Sequence, residues 1–229
     1  MSDANLGCTD RYDELVQSLS ADLVPVRRLR PPIQRALCWL GAVLAAGSVL
    51  ALFSNLVAMM HRLTAAPDLW LAAIGSTLTA VLAAVAAFQL GLPDRSTKWA
   101  LLPVPATILW VGASGLGCLR TWFVLGTHEA SLTGAEFCLF FILGLSVPLS
   151  VLLLAMLRRA YSLWPNLTGV MGGLAVAGAS ATILNLFHPY DSAATDLLVH
   201  AAAVAIVIIA NWGLVDRSGR NRFPRGGRR

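Results

Sequence analysis

The stretch Leu167-Thr-Gly-Val-Met-Gly-Gly-Leu-Ala-Val-Ala-Gly-Ala-Ser-Ala-Thr-Ile-Leu-Asn-Leu-Phe187 contains no charged residue. It is longer than the ~18 apolar residues that mark a membrane-crossing helix. A lone segment in hydrocarbon must satisfy its own N–H and C=O groups, and an α-helix is the open structure that does so. Gly169, Gly172, Gly173, Ala175, Ala177, Gly178, Ala179 and Ala181 carry almost no side chain, and Gly169 and Gly173 form a GxxxG pair. Without water to drive helices together, such small residues allow the close backbone approach that holds them. This span is therefore expected at the centre of a bundle.

Working outward, similar apolar runs occupy residues 36–60, 69–90, 99–119, 134–156 and 193–215, which with 167–187 makes six expected spans. Pro103 and Pro105 open the third, where a missing N–H costs least. Thr133 and Glu136 give the fourth a capping-box pattern. Trp39, Trp70, Trp99, Trp122, Trp164 and Trp212 fall near expected span ends, the depth an amphipathic ring prefers, whereas Trp110 lies deep enough to pack on a neighbour.

Composition agrees. The 229 residues are 57% hydrophobic and 13% charged, with mean hydropathy +0.69. A soluble domain carries roughly 25% charged residues, so lipid must be part of this chain's solvent. The first 35 residues show no early apolar core of a cleavable leader, and none is expected.

Basic residues set the expected orientation. Arg11, Arg27, Arg28, Arg30 and Arg35, then Arg95 and Lys98, then Arg158 and Arg159, then Arg217, Arg220, Arg222, Arg225, Arg228 and Arg229 all fall on one side of a six-span arrangement. Arg62 and Arg120 fall on the other. The positive-inside rule makes the rich side cytoplasmic. The chain then divides into a cytoplasmic segment 1–35, a transmembrane domain 36–215 and a cytoplasmic Arg-rich tail 216–229. The net charge of +5 follows from topology and calls for no nucleic-acid contact.

No Lys, Arg, Asp or Glu stands at mid-span, and no nucleotide-binding loop, HExxH or Ser-His-Asp grouping is evident. Transport and proton coupling usually place ionisable groups at depth. Catalysis has little to stand on, and no small-molecule substrate is expected. A small transporter or channel, or a thiol-dependent membrane enzyme, is the alternative function class. Asn55, Gln89, Asn185 and Asn211 suit caps or interhelical hydrogen bonds.

Two regions carry chemistry. Residues 10–23 pattern as one amphipathic helix, with Asp10 as its cap and Pro25 beyond its end. Tyr12, Leu15, Val16, Leu19 and Leu23 form an apolar stripe opposite Asp13, Glu14, Gln17, Ser18 and Ser20. The acidic residues disfavour lying on an anionic bilayer, so the stripe suits the bundle's loops or a protein groove. On the outer side the topology collects Cys118, Cys138, His188, Asp191, Asp196 and His200, with His128 and Glu129 in the longest outer loop. Such thiols can pair in an oxidising compartment, hold zinc or another soft metal with imidazole, or simply pack. Cys8 and Cys38 fall on the reducing side.

The stretch Ala21-Asp-Leu-Val-Pro-Val-Arg-Arg-Leu-Arg-Pro-Pro-Ile-Gln-Arg-Ala-Leu-Cys-Trp-Leu40 resembles the N-terminal signature of the NrsF family of membrane anti-sigma factors. A second similarity runs through Cys138-Leu139, Leu145-Ser-Val-Pro148, Leu157-Arg-Arg159, Pro165, Leu167-Thr-Gly169, His188-Pro189, Asp191-Ser192 and His200. The resemblance implies a bacterial inner-membrane protein that holds an extracytoplasmic-function sigma factor and releases it under oxidative or heavy-metal stress. It implies that Tyr12, Leu15, Val16, Leu19 and Leu23 contact the sigma factor, with Arg27, Arg28 and Arg30 positioning them. Cys138 matches the first sensing cysteine. The family's second cysteine, in a His-Cys-Pro motif, is replaced here by His188 before Pro189. Cys138 is then expected to act as a lone sulfenic acid, to pair with Cys118, or to meet His188 in a metal or hydrogen-bond contact.

Overall fold

A computed structural model describes residues 3–21, 30–65, 67–120, 132–158, 163–185 and 194–222. The described elements are all helical: α1 (Asp3–Ala21), α2 (Pro32–Ala51), α3 (Leu56–Ala65), α4 (Pro67–Leu90), a 3-10 turn (Thr97–Leu101), α5 (Val104–Arg120), α6 (Leu132–Leu157), α7 (Pro165–Leu184) and α8 (Ala194–Arg222). Five segments are long and apolar enough to cross a membrane: Pro32–Ala51, Leu69–Leu90, Thr97–Leu116, Leu139–Leu157 and Pro165–Leu184. Within α8, Ala201–Val215 is a shorter apolar stretch.

The expectation for α7 holds. It packs against α8, α4 and α6, and 78% of its apolar window is buried. The reason is backbone proximity. A Cβ built on Gly173 would lie 2.5 Å from the Ile208 Cα, and one on Gly169 would lie 2.8 Å from the Trp212 Cα. On the other side of α7, a Cβ on Gly178 would meet the Ser76 carbonyl oxygen at 2.9 Å. Hydroxyl pairs join the same helices. Ser76 and Thr182 are 3.0 Å apart, as are Ser146 and Ser180. The Asn211 side-chain amide donates to Ser150 Oγ at 2.9 Å, tying α8 to α6. Trp110 meets a neighbour as expected, its backbone lying under Gly75 of α4.

Several boundaries differ from the sequence reading. The run 36–60 is two helices, because α2 ends at Ala51 and α3 begins at Leu56. Between them the Ser54 hydroxyl donates to the Ala51 carbonyl at 2.9 Å, and Asn55 Oδ1 accepts from the Ala58 N–H at 3.0 Å. These side chains offer the backbone a stop and a new start. The beginning of α2 lies earlier, with Pro32 in its first turn, and its 20 residues still amount to about 30 Å of helix. Thr133 falls inside α6 rather than capping it, and Asp10 falls inside α1, which starts at Asp3. With no proline to stop it, α8 runs on through Arg217 and Arg220 to Arg222, where a separate tail was expected.

Candidate functional site

The first candidate surface is α1. Tyr12, Leu15, Val16 and Leu19 recur at i, i+3, i+4 and i+7 and so share one face. They are 64%, 53%, 62% and 63% exposed, too open for any contact with the bundle to be covering them. Each described side chain from Tyr12 to Ala21 is exposed. Ser18 and Ser20 turn their hydroxyls back to the carbonyls of Leu15 and Gln17 at 3.0 and 2.9 Å. These two hydroxyls are thereby occupied locally. Leu23, Arg27 and Arg28 lie outside the described residues, and Arg30 is exposed.

The second candidate lies at the end of the bundle where α2 begins, and sequence patterning alone does not mark it. Arg35 sits in the first turn of α2 and is 6% exposed. Its Nη2 donates a hydrogen bond to the Met156 carbonyl, in the last turn of α6. Its Cζ stands 5.0 Å from the centroid of the Phe88 ring on α4. Helix C-termini leave carbonyls without intrahelical partners, and a cation there also meets the negative end of the helix dipole. A charged hydrogen bond contributes about 1.5–3 kcal/mol and a cation–π contact about 0.5–2 kcal/mol. One turn along α2, Trp39 is fully buried and its Nε1–H donates to the Leu149 carbonyl at 3.2 Å. This corrects two expectations. Arg35 is not a tail residue facing water, and Trp39 is not an interfacial ring. The missed signal was Pro31-Pro32: a proline pair fixes the helix start there, which puts Arg35, Ala36 and Trp39 on one inward face.

The expected sensing positions are only partly placed. Cys118 belongs to the last turn of α5, Cys138 to the second turn of α6 and His200 to the second turn of α8. Their side chains, and all of His188, lie outside the described residues. Chiefly, α5 packs on α4, while α6 packs on α7 and α8. Among the described residues no three His, Cys, Asp or Glu side chains stand together as a metal site. Cys38, in the same helix as Arg35 and Trp39, is exposed.

Apolar helices of this length, packed through glycines and carrying few charges, define a helical membrane protein. The chain belongs to the NrsF family, whose model, described as "Negative regulator of sigma F", matches residues 19–220. That description names a sigma factor as the regulated partner and gives the family a regulatory role. No curated protein and no solved structure matches the chain.

Proposed function

We propose that this chain is a membrane-bound anti-sigma factor. It spans the bacterial inner membrane six times, with Ala201–Val215 inside the sixth span and both ends in the cytoplasm. It sequesters an extracytoplasmic-function sigma factor on α1. The observation that carries this reading is the uncovered stripe Tyr12–Leu15–Val16–Leu19, in a chain of a family named for sigma-factor regulation. An apolar helix face left open to water is a docking face in want of a groove. Leu23, Arg27, Arg28 and Arg30 extend the contact toward the membrane.

Release is triggered at the outer face, by oxidation or by a soft metal, with Cys138 as the reacting group and His188, Cys118 and His200 as its candidate companions. Zinc or a similar ion held by Cys138 and His188 is one form this takes. The test of the class is purification of the tagged chain from membranes of unstressed host cells. One sigma factor should accompany it, and recovery of none overturns the reading. The test of the trigger is Cys138→Ser. This variant should retain sigma factor as the wild type does but lose most of its release by oxidant, read as sigma-dependent transcription. An undiminished oxidant response in Cys138→Ser would remove Cys138 from the mechanism.

A further inference from the structure

Arginine is among the residues least often fully buried, and near a helix end in lipid its long stem normally carries the charge out to water. At the same end of the bundle Arg30, Arg95, Lys98 and Arg158 are exposed, as that rule expects. Arg35 is buried instead, and it is held by two helices remote from it in sequence. Its contact to the Met156 carbonyl depends on direction as well as distance. Its contact to Phe88 depends on the guanidinium standing over the ring face. Three helix ends, of α2, α4 and α6, therefore meet at one side chain. That side chain lies in the first turn of α2, directly after the residues that join α2 to α1.

The helix that supplies the carbonyl also carries Cys138 near its opposite end. About 27 Å of helix separates Cys138 from Met156, at about 1.5 Å per residue. Between them stands Pro148, which cannot donate to the carbonyl one turn earlier and so leaves α6 a natural bending point. Just beyond it, the Leu149 carbonyl accepts from Trp39. Pro148 thus separates the end of α6 that carries Cys138 from the end that α2 holds at two points.

We propose that Arg35 is the positioning residue that transmits the state of the bundle to α1. Its guanidinium, clamped between the Phe88 ring and the Met156 carbonyl, fixes the first turn of α2 and with it the point from which α1 is presented. Rotation or sliding of α6 withdraws the Met156 carbonyl, frees the first turn of α2 and weakens the hold on the sigma factor. This rests on the reading of α1 as the sigma-binding helix.

The experiment uses the full chain in host membranes and follows three quantities: abundance of the chain, sigma factor co-purified with it, and sigma-dependent transcription before and after oxidant. Arg35→Gln removes the charge and keeps a polar side chain. Phe88→Leu keeps an apolar filling and removes the ring. Arg35→Lys keeps the charge without the planar fork. Arg35→Gln should raise transcription without oxidant by at least about fivefold, the lower end of ordinary allosteric coupling. Oxidant should then add little, while the chain remains as abundant as wild type. Phe88→Leu should fall between the two, and Arg35→Lys should restore part of the retention. A merely structural role would lower abundance and leave the ratio of stressed to unstressed output unchanged for the chain that remains. If Arg35→Gln fails to accumulate, Phe88→Leu and Arg35→Lys decide the matter. Normal retention and normal oxidant response in both overturns the proposal. A wild-type chain that retains no sigma factor overturns the function reading, and the clamp with it. A wild type that retains sigma factor, with variants that behave identically, overturns the clamp alone.

Discussion

Replacing Leu15 and Leu19 together by aspartate should abolish recovery of the sigma factor while leaving the chain in the membrane at its normal level. The two leucines lie one turn apart on the exposed face of α1, and neither supports the bundle. Burying each against a partner contributes about 1.5–3 kcal/mol. An aspartate in the same place must also shed its hydration, which an apolar groove does not replace. The combined loss, at least about 4 kcal/mol, corresponds to about a thousandfold weaker binding. Aspartate lowers helix propensity as well, so the face must be separated from the helix. Glu14→Asp and Gln17→Asp carry a similar propensity cost on the opposite face and should bind nearly as the wild type does. If both faces behave alike, the helix matters and the stripe does not. If neither pair affects recovery, the sigma contact lies elsewhere on the cytoplasmic surface.

What the sequence disclosed, and what it concealed, follows from how local each cause is. The central place of α7 was legible because small residues are a property of the segment itself, and only a crowded position needs so many. Asn211 and Asn55 were legible as hydrogen-bonding residues, since a polar side chain in an apolar run must find a partner. The break at Ser54-Asn55 was hidden because those residues are tolerated in membrane helices as readily as they cap them. Arg35 was hidden for a different reason. Its burial depends on Phe88 and Met156, which arrive from distant parts of the chain, and charge counting treats any arginine outside the hydrophobic run as solvated. Trp39 was misplaced by the same step, since an earlier helix start carries it a further turn inward. For the outer face, residue type and topology suggested Cys138, His188, Cys118 and His200, and the described residues add only the helices to which three of them belong.

The glycines of α7 bear the largest effect expected on the fold itself. Gly173→Leu should leave little correctly assembled protein in the membrane, while Gly144→Leu should be tolerated. The two substitutions insert the same side chain into helices of the same bundle. At Gly173 the first added carbon already falls 2.5 Å from the Ile208 Cα and 3.2 Å from its carbonyl oxygen, both of them backbone atoms that no rotamer change can move. The helices must separate, and separation also strains the contact of Asn211 with Ser150 and the approach of Gly169 to Trp212. Overpacking of this kind costs about 1–3 kcal/mol for modest insertions and more where the obstacle is main chain. With total stabilities of about 5–15 kcal/mol, such a change removes a large part of the whole. At Gly144 nothing lies within 4 Å of the added carbon, and a leucine there meets only the surroundings of the bundle. The measurement is the midpoint of thermal aggregation of the detergent-solubilised chain, together with its abundance in membranes. A Gly173→Leu chain that melts with the wild type would mean that α7 and α8 do not approach through this glycine. A Gly144→Leu chain that melts as low as Gly173→Leu would mean that leucine at any glycine harms the bundle, and that close approach at Gly173 is not the cause. If the contrast holds, sigma retention can be read in the Gly144→Leu chain as a control for every other variant, because it carries an added side chain and an intact bundle.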